Sequence, residues 1–296
     1  MPELPEVETI RRDLAACALG RRISAVNILS PKIASHPAAF FKKSLVGRRL
    51  TGLARRGKLL ILSLSPARTG IAYLLIHLKM TGQLIYQDKQ SRVAGGHSLG
   101  GRSFASAVGG ELPNKYTRAS LEFAGSGRLF FNDLRKFGYW KLATAEELEK
   151  ILAANYGPEP LTATFSAAFL ESLLRGRQTK IKALLLDQKK VAGLGNIYVD
   201  EALWAARIRP SRAAGSLRAR EVERLYLSIN QIIKLAIKHR GTTFSDYVDA
   251  RGRQGNFSRL LKVYGRRGEA CLACGQPIVR MKLAGRGTHY CPHCQK

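Results

Sequence analysis

Four cysteines near the C-terminal end constrain this chain more than any other feature. Cys271, Cys274, Cys291 and Cys294 follow the pattern C-x2-C-x16-C-x2-C, the spacing of a zinc ribbon. Four thiolates complete the tetrahedral shell of Zn²⁺ and leave no position for water, so the pattern predicts one structural zinc rather than a catalytic one. His289 and His293 lie in the same stretch, but four cysteines make them unnecessary as ligands. A two-stranded hairpin between the cysteine pairs would carry Arg280, Lys282 and Arg286 and offer them to a phosphate backbone. The fifth cysteine, Cys17, stands alone.

The charge points the same way. Lys and Arg total 49 against 21 Asp and Glu, a formal net charge of +28. Solubility asks for a net charge of only about 2–8 on a small domain, so the excess suits a polyanionic partner, nucleic acid first. Apolar runs fall short of the roughly 18 residues of a spanning helix, and the start lacks a signal peptide's pattern. A cytoplasmic chain with no membrane partner is expected, acting as a monomer and associated with the nucleoid while on DNA. Its 296 residues, 45% hydrophobic, suffice for two domains.

Residues 2–20 read as a helix after a short extended start, with Val7, Ile10 and Leu14 at helical spacing and Pro5 suited to the first turn. From Ile23 to about Leu142, short apolar runs separated by Gly, Pro and Arg predict a β-sandwich. Residues 91–110, rich in Gly, Ser and Arg, read as a flexible surface insertion. Thr144 and Glu147 form a capping box, and the Gly157–Pro160 break marks a linker over 143–160. Helices are predicted at 166–175, 180–187, 196–206 and 217–239. The fold class is thus α+β and multidomain: a sandwich with an N-terminal helix over 1–142, then a helical domain over 161–296 ending in a zinc finger at 263–296.

Three further patterns bear on chemistry. If Met1 is removed, the chain starts at Pro2, whose secondary amine can attack an electrophilic carbon and form an iminium. Free α-amino groups titrate near 7.7–8.0, so a useful fraction is unprotonated at neutral pH. Glu3 and Glu6 stand beside it as candidate general acid and base, although Pro and Glu also serve as ordinary capping residues. Position 2 is expected to be an exposed terminus. Gly193 and Gly195, before Asn196, suit a phosphate-binding loop at a helix start or an ordinary turn. Phe137, in Asn132-Asp-Leu-Arg135-Lys136-Phe137-Gly, reads as core or as a wedge into a base stack.

Pro2-Glu3-Leu4-Pro5-Glu6-Val7-Glu8-Thr9, Gly193-Leu-Gly-Asn196-Ile-Tyr-Val-Asp-Glu201 and Gly285-Arg286-Gly-Thr-His-Tyr-Cys291-Pro together resemble the formamidopyrimidine-DNA glycosylase family, in the right order and from residue 2 to residue 296. The resemblance implies a β-sandwich joined to a helix–two-turn–helix domain with a zinc hairpin, and double-stranded damaged DNA in a cleft between them. It implies Pro2 as the nucleophile at the sugar C1′, Glu3 as the group that opens the sugar ring, and Lys58 in the first elimination or on a phosphate. Arg286 would act on the phosphates and the second elimination, and Asn196 would hold a phosphate. Met80, Arg135 and Phe137 would fill the hole left by the extruded base, with His77, Lys136 and Arg177 as further DNA contacts. A loop at about 242–258 would cap the flipped lesion.

The implied reaction is excision of oxidised purines such as 8-oxoguanine and formamidopyrimidines through a Pro2 Schiff base, then β,δ-elimination. The alternatives are an endonuclease VIII-like enzyme for oxidised pyrimidines and a non-catalytic, zinc-stabilised nucleic-acid binder. Leu4, where the sister enzyme typically has Gly, favours the purine enzyme. The resemblance departs at Tyr116 and Arg118, where many relatives carry histidines, and at Leu134, where some have Pro.

Overall fold

The computed structural model describes residues 2–100, 103–242 and 256–296. It divides into two compact units, one formed by residues up to 152 with 239–258, the other by 153–238 with 259–296. The segment after His239, expected in the second domain, therefore groups with the first. Residues 243–255 of the expected capping loop lie outside the described residues.

The first unit opens with α1 (Leu4–Ala18), which buries Val7, Ile10, Leu14 and Ala18 on one face. It continues through β1 (Ile23–Ile28), α2 (Ala38–Leu45), β2 (Leu50–Arg56), β3 (Leu59–Leu64), β4 (Tyr73–His77), β5 (Gly82–Gln87), β6 (Arg92–Gly96), α3 (Phe104–Val108), β7 (Thr117–Phe123), β8 (Arg128–Asp133) and β9 (Tyr139–Ala143). Among the described residues these strands form one sheet of order β1-β7-β8-β5-β6 and another of order β2-β3-β4-β9. Alternate residues face inward, as a two-residue side-chain period requires. Leu60 and Leu62, Leu74 and Ile76, Leu84 and Tyr86, and Leu129 and Phe131 share one core with the buried face of α1. Full burial of each such side chain stabilises by about 1.5–3 kcal/mol.

The stretch 91–110 differs from its reading as a flexible insertion. It holds strand β6 and helix α3. Ile85 and Phe130 point away from the main core and meet Ala94 and Val108 in a second cluster. The continuous apolar runs Leu84-Ile85-Tyr86 and Leu129-Phe130-Phe131 make both sheet faces apolar, and an apolar outer face needs a cover. Gln83 Nε2 and Asn132 Nδ2 fasten that cover by donating to the carbonyls of Ala107 at 3.2 Å and Val108 at 3.0 Å.

Helix α4 (Ala145–Asn155) occupies much of the expected linker. Its capping box forms as predicted, with Glu147 N–H donating to Thr144 Oγ1 at 3.2 Å and Thr144 N–H to Glu147 Oε2 at 2.9 Å.

The second unit contains α5 (Ala167–Leu174), α6 (Ile181–Leu186), α7 (Asn196–Ala205), α8 (Ala219–Lys238) and the hairpin β10 (Val279–Leu283) and β11 (Arg286–Tyr290). Helix α7 is buried from Ile197 to Leu203, including Asp200 and Glu201. Buried charges persist where they are paired and hydrogen-bonded. Glu201 accepts the backbone N–H groups of Lys262, Val263 and Tyr264 at 2.8–2.9 Å. Asp200 accepts Lys182 Nζ at 2.6 Å and His289 N–H at 2.9 Å. These bonds fix the hairpin and the segment before it to one helix.

Candidate active site

The start of α1 is built by reciprocal capping. Glu3 is the N-cap, and its backbone N–H donates to Glu6 Oε2 at 2.9 Å while its side chain accepts from the helix. Glu6 Oε1 accepts the N–H of Thr242 at 2.7 Å and its hydroxyl at 3.1 Å. A Cβ at Gly241 would lie 2.5 Å from that oxygen, and Gly241 has φ +80°, so only glycine fits. Both Glu6 oxygens therefore hold the frame, where the sequence offered Glu6 as an acid or base. Pro2 is buried and Glu3 is 2% exposed. This corrects the expectation of an exposed terminus: the first residues sit against the unit rather than trailing into solvent.

Lys58 sits in the two-residue turn between β2 and β3, where Arg56 pairs with Leu59. Gly57 has φ +55°, which suits a hairpin turn with glycine at the first central position. Lys58 itself is buried, with 5% exposure. Across the next strand, Leu59 pairs with His77. Burial, aided by the charges of Lys79 and Lys58, pushes the His77 imidazole down to about 3. Its Nδ1 accepts the N–H of Lys79 at 2.9 Å, so the neutral ring carries its proton on Nε2. His77 is thus a neutral donor at working pH.

A pH effect follows, because the unfolded histidine takes a proton near 6.5 and the folded one does not until about 3. Stability is lost as pH falls through that window. His77→Gln should lessen the decline of the urea midpoint between pH 6 and 4, roughly the upper part of that window. An unchanged decline would contradict the half-buried neutral ring.

Met80, Arg135 and Phe137 come together although 55 residues separate Met80 from Arg135. The Arg135 guanidinium carbon lies 4.8 Å from the Phe137 ring centroid and its Nη1 lies 3.5 Å from Met80 Sδ. Phe137 is 54% exposed, which removes the core reading. Asp133 holds the loop by accepting the Thr81 hydroxyl at 2.5 Å, Arg135 N–H at 3.2 Å and Gly138 N–H at 2.7 Å. Lys136 turns the chain with φ +57° and is exposed. Phe137→Ala should slow base excision while leaving undamaged-duplex affinity nearly intact, because a wedge acts when the stack opens. Equal losses in both assays would refute the wedge.

In the second unit Asn196 opens α7 and donates from Nδ2 to the carbonyl of Gly287 at 2.9 Å. Among the described residues its Oδ1 meets no hydrogen-bond partner. Gly287 follows Arg286, which is exposed beside the hairpin turn. Ala284 and Gly285 have φ +48° and +70°, a two-residue turn of the kind that matches strand twist. The structure thus ties Asn196 to the residue that follows Arg286. Arg177 is exposed elsewhere in this unit, in the turn after α5, with its Nε donating to Leu173 O at 2.7 Å.

The Sγ atoms of Cys271, Cys274, Cys291 and Cys294 all lie within 4.8 Å of one another. Two of these separations are 3.9 and 3.5 Å. Tetrahedral zinc with Zn–S bonds of about 2.3 Å requires sulfurs roughly 3.8 Å apart, so the donor set fits the ion. This is the site of one structural Zn²⁺. His289 is turned elsewhere, with its N–H on Asp200 and its ring 5.1 Å from that of Tyr264.

Three family models match the chain in succession. They are the formamidopyrimidine-DNA glycosylase N-terminal domain over residues 1–140, the H2TH domain of the same enzyme over 156–248, and a zinc finger found in FPG and IleRS over 268–296. The formamidopyrimidine-DNA glycosylase of Carboxydothermus hydrogenoformans is 42% identical over the whole of both chains. The chain belongs to the formamidopyrimidine-DNA glycosylase family. The Desulforamulus reducens member is 44% identical, covering 100% of this chain and 99% of its own. A crystal structure of a Lactococcus lactis FPG mutant with Fapy-dG-containing DNA superposes with a TM-score of 0.85 at 36% identity, covering both chains fully. A second, of the Lactococcus enzyme bound non-covalently to DNA containing an AP site, gives 0.83 at 35% identity over 99% of each chain.

Within this member of the family, sequence reading missed the groups that hold the site in place. Lys182 and Asp200 are fully buried, and Lys182 also donates to Thr288 Oγ1 at 2.9 Å. The signal was available: a lysine inside the apolar run Ile181-Lys-Ala-Leu-Leu-Leu186 and two acids inside Ile197–Leu203. Charges at core positions need partners. Arg118, at a departure from the family, donates from Nε to the carbonyl of Asp133 at 2.8 Å and from Nη1 to that of Lys115 at 2.9 Å. It braces the base of the Met80–Phe137 cluster.

Proposed function

We propose that this chain excises oxidised purines from double-stranded DNA and cuts the strand at the resulting abasic site. The observation that carries this reading is the buried Pro2-Glu3 pair at the start of α1, capped by Glu6, in a full-length member of the glycosylase family. The damaged nucleotide is turned out of the duplex, as enzymes that work on a base require. Glu3 gives a proton to the sugar ring oxygen. The Pro2 nitrogen displaces the base at C1′, giving up its own proton as the base leaves protonated, and the C1′–O4′ bond then breaks to the protonated ring oxygen, opening the sugar and leaving an iminium. That cationic nitrogen draws electrons from the adjacent carbon, so loss of a C2′ proton expels the 3′ phosphate and a second elimination expels the 5′ phosphate. Lys58 serves the first elimination, and Arg286 with Asn196 holds phosphates. Met80, Arg135 and Phe137 fill the vacated stack, with His77, Lys136 and Arg177 as further contacts on the duplex.

The chain acts as a monomer in the cytoplasm, on the nucleoid. Among the described residues no helix is long and apolar enough to cross a membrane. Lesion preference is tested with matched duplexes bearing 8-oxoguanine, a formamidopyrimidine or an oxidised pyrimidine. Faster single-turnover excision of the two purine lesions is the expected result. Preference for the pyrimidine would assign the chain to endonuclease VIII-like chemistry, and binding without excision would make it a zinc-stabilised binder.

A further inference from the structure

One charged cluster lies beside the site without any role in the steps above. Glu8, on α1, is 8% exposed. It accepts Arg11 Nε and Nη2 at 3.0 and 2.8 Å, Arg12 Nε at 2.7 Å and Arg55 Nε at 3.1 Å. Arg55 comes from β2 and its side chain is only 10% exposed. Its Nη1 reaches on to the carbonyl of Gly57 at 3.1 Å. Arg11 makes a parallel bond from Nη1 to Leu53 O at 3.4 Å. Two guanidiniums therefore fasten α1 to β2, and one of them ends on the peptide group that joins Gly57 to Lys58.

We propose that Arg55, acting through Glu8, is a positioning residue that sets Lys58 relative to the N-terminal proline. This rests on the function proposed above. Helix α1 begins with the residues that would attack the sugar, and the β2–β3 turn carries the lysine that would serve the elimination. Apolar packing between the two elements is non-directional, so it leaves their mutual setting less defined than chemistry demands. A planar guanidinium with several donors in a fixed fork supplies the missing direction. The Gly57 carbonyl shares its peptide plane with the Lys58 nitrogen. Holding that carbonyl fixes the origin of the lysine side chain. Burial alone would push the Glu8 carboxyl up, but hydrogen bonds from Arg11, Arg12 and Arg55 outweigh it and hold the group at about 2. The clamp stays charged wherever the protein is folded and working.

The test is strand cleavage at a preformed abasic site, measured under single-turnover conditions with duplex affinity and melting temperature alongside. Arg55→Ala should slow cleavage about 10–100-fold, the scale of a misplacement near 1 Å, with affinity nearly unchanged. In a Lys58→Ala background the same substitution should add less than about 2-fold, because both changes remove one function. Arg55→Lys keeps the charge beside Glu8 but lacks the fork that also reaches Gly57. It should restore the melting temperature and leave cleavage slow. A merely structural ion pair gives the opposite pattern: full recovery of rate with Arg55→Lys, or losses that multiply fully with Lys58→Ala. Either result overturns the clamp, as does an Arg55→Ala variant that cleaves at the wild-type rate. Wild-type protein that leaves abasic DNA intact would overturn the underlying function, and the clamp with it.

Discussion

Pro2→Gly should bind duplex DNA normally and lose excision by orders of magnitude. Glycine at position 2 still allows removal of Met1, so an amine remains at the chain start. That amine is primary and sits on a backbone without the proline ring's constraint. Holding a nucleophile in line with its target accounts for as much as about 7–11 kcal/mol of a barrier, and a loosely held amine forfeits much of it. Pro2 is buried in the structure, so a small loss of packing accompanies the change, and melting temperature must be recorded with the rate. Glu3→Gln separates the second role. It keeps the size of the N-cap side chain while removing the proton donor, so excision of an intact lesion should fall sharply. Cleavage at a preformed abasic site should survive better, since a free aldehyde needs no glycosidic activation. Wild-type rates in Pro2→Gly would place the nucleophile elsewhere.

The second large effect is expected from Asp200→Ala. Asp200 and Lys182 are both fully buried and 2.6 Å apart. Removing one partner of a buried pair strands the other charge, at a cost of about 3–5 kcal/mol. That is a large share of the roughly 5–15 kcal/mol that stabilises a typical domain. The loss should also disturb the hairpin, because Asp200 holds His289 N–H and Lys182 reaches Thr288 and Gly287 O. The carbonyl of Gly287 is the one that Asn196 grips next to Arg286. Urea unfolding should show the loss directly. Replacing both charges together, Asp200→Leu with Lys182→Met, should recover much of it, since a well-packed apolar pair costs little in place of a buried ion pair. A double variant as unstable as the single one would mean that the stranded charge is not the cause.

Much of this architecture is legible in the sequence, for physical reasons that differ between elements. Helix α1 shows through the spacing of Val7, Ile10 and Leu14, and the zinc site through cysteine spacing alone. The Thr144–Glu147 box forms at the predicted place because capping depends on neighbours three residues apart. Helix α3 and strand β6 are not legible in that way. They are only five residues each and rich in Ala and Gly, flanked by a Gly- and Ser-rich stretch, and only the unmatched apolar residues Ile85 and Phe130, distant in the chain, require a cover there. The candidate site divides along the same line. Pro2, Lys58 and the cysteines stand in short motifs. The contacts that position them, Glu8 with Arg55, Asp133 with Thr81 and Asp200 with Lys182, join residues 18 to 52 apart, and periodicity carries no record of such pairs. Phe137 shows the converse. Its residue type alone favoured burial, and its place on a loop held by Asp133 decides for exposure.

The central claim is that the N-terminal proline forms the covalent bond to DNA. Borohydride reduction of the reaction on an 8-oxoguanine duplex, followed by digestion and mass spectrometry of the cross-linked peptide, tests it most directly. The nucleotide adduct should map to the peptide beginning at Pro2, with Met1 absent and the mass on the proline nitrogen. An adduct on a lysine, Lys58 included, or excision that proceeds with no trapped species would contradict it.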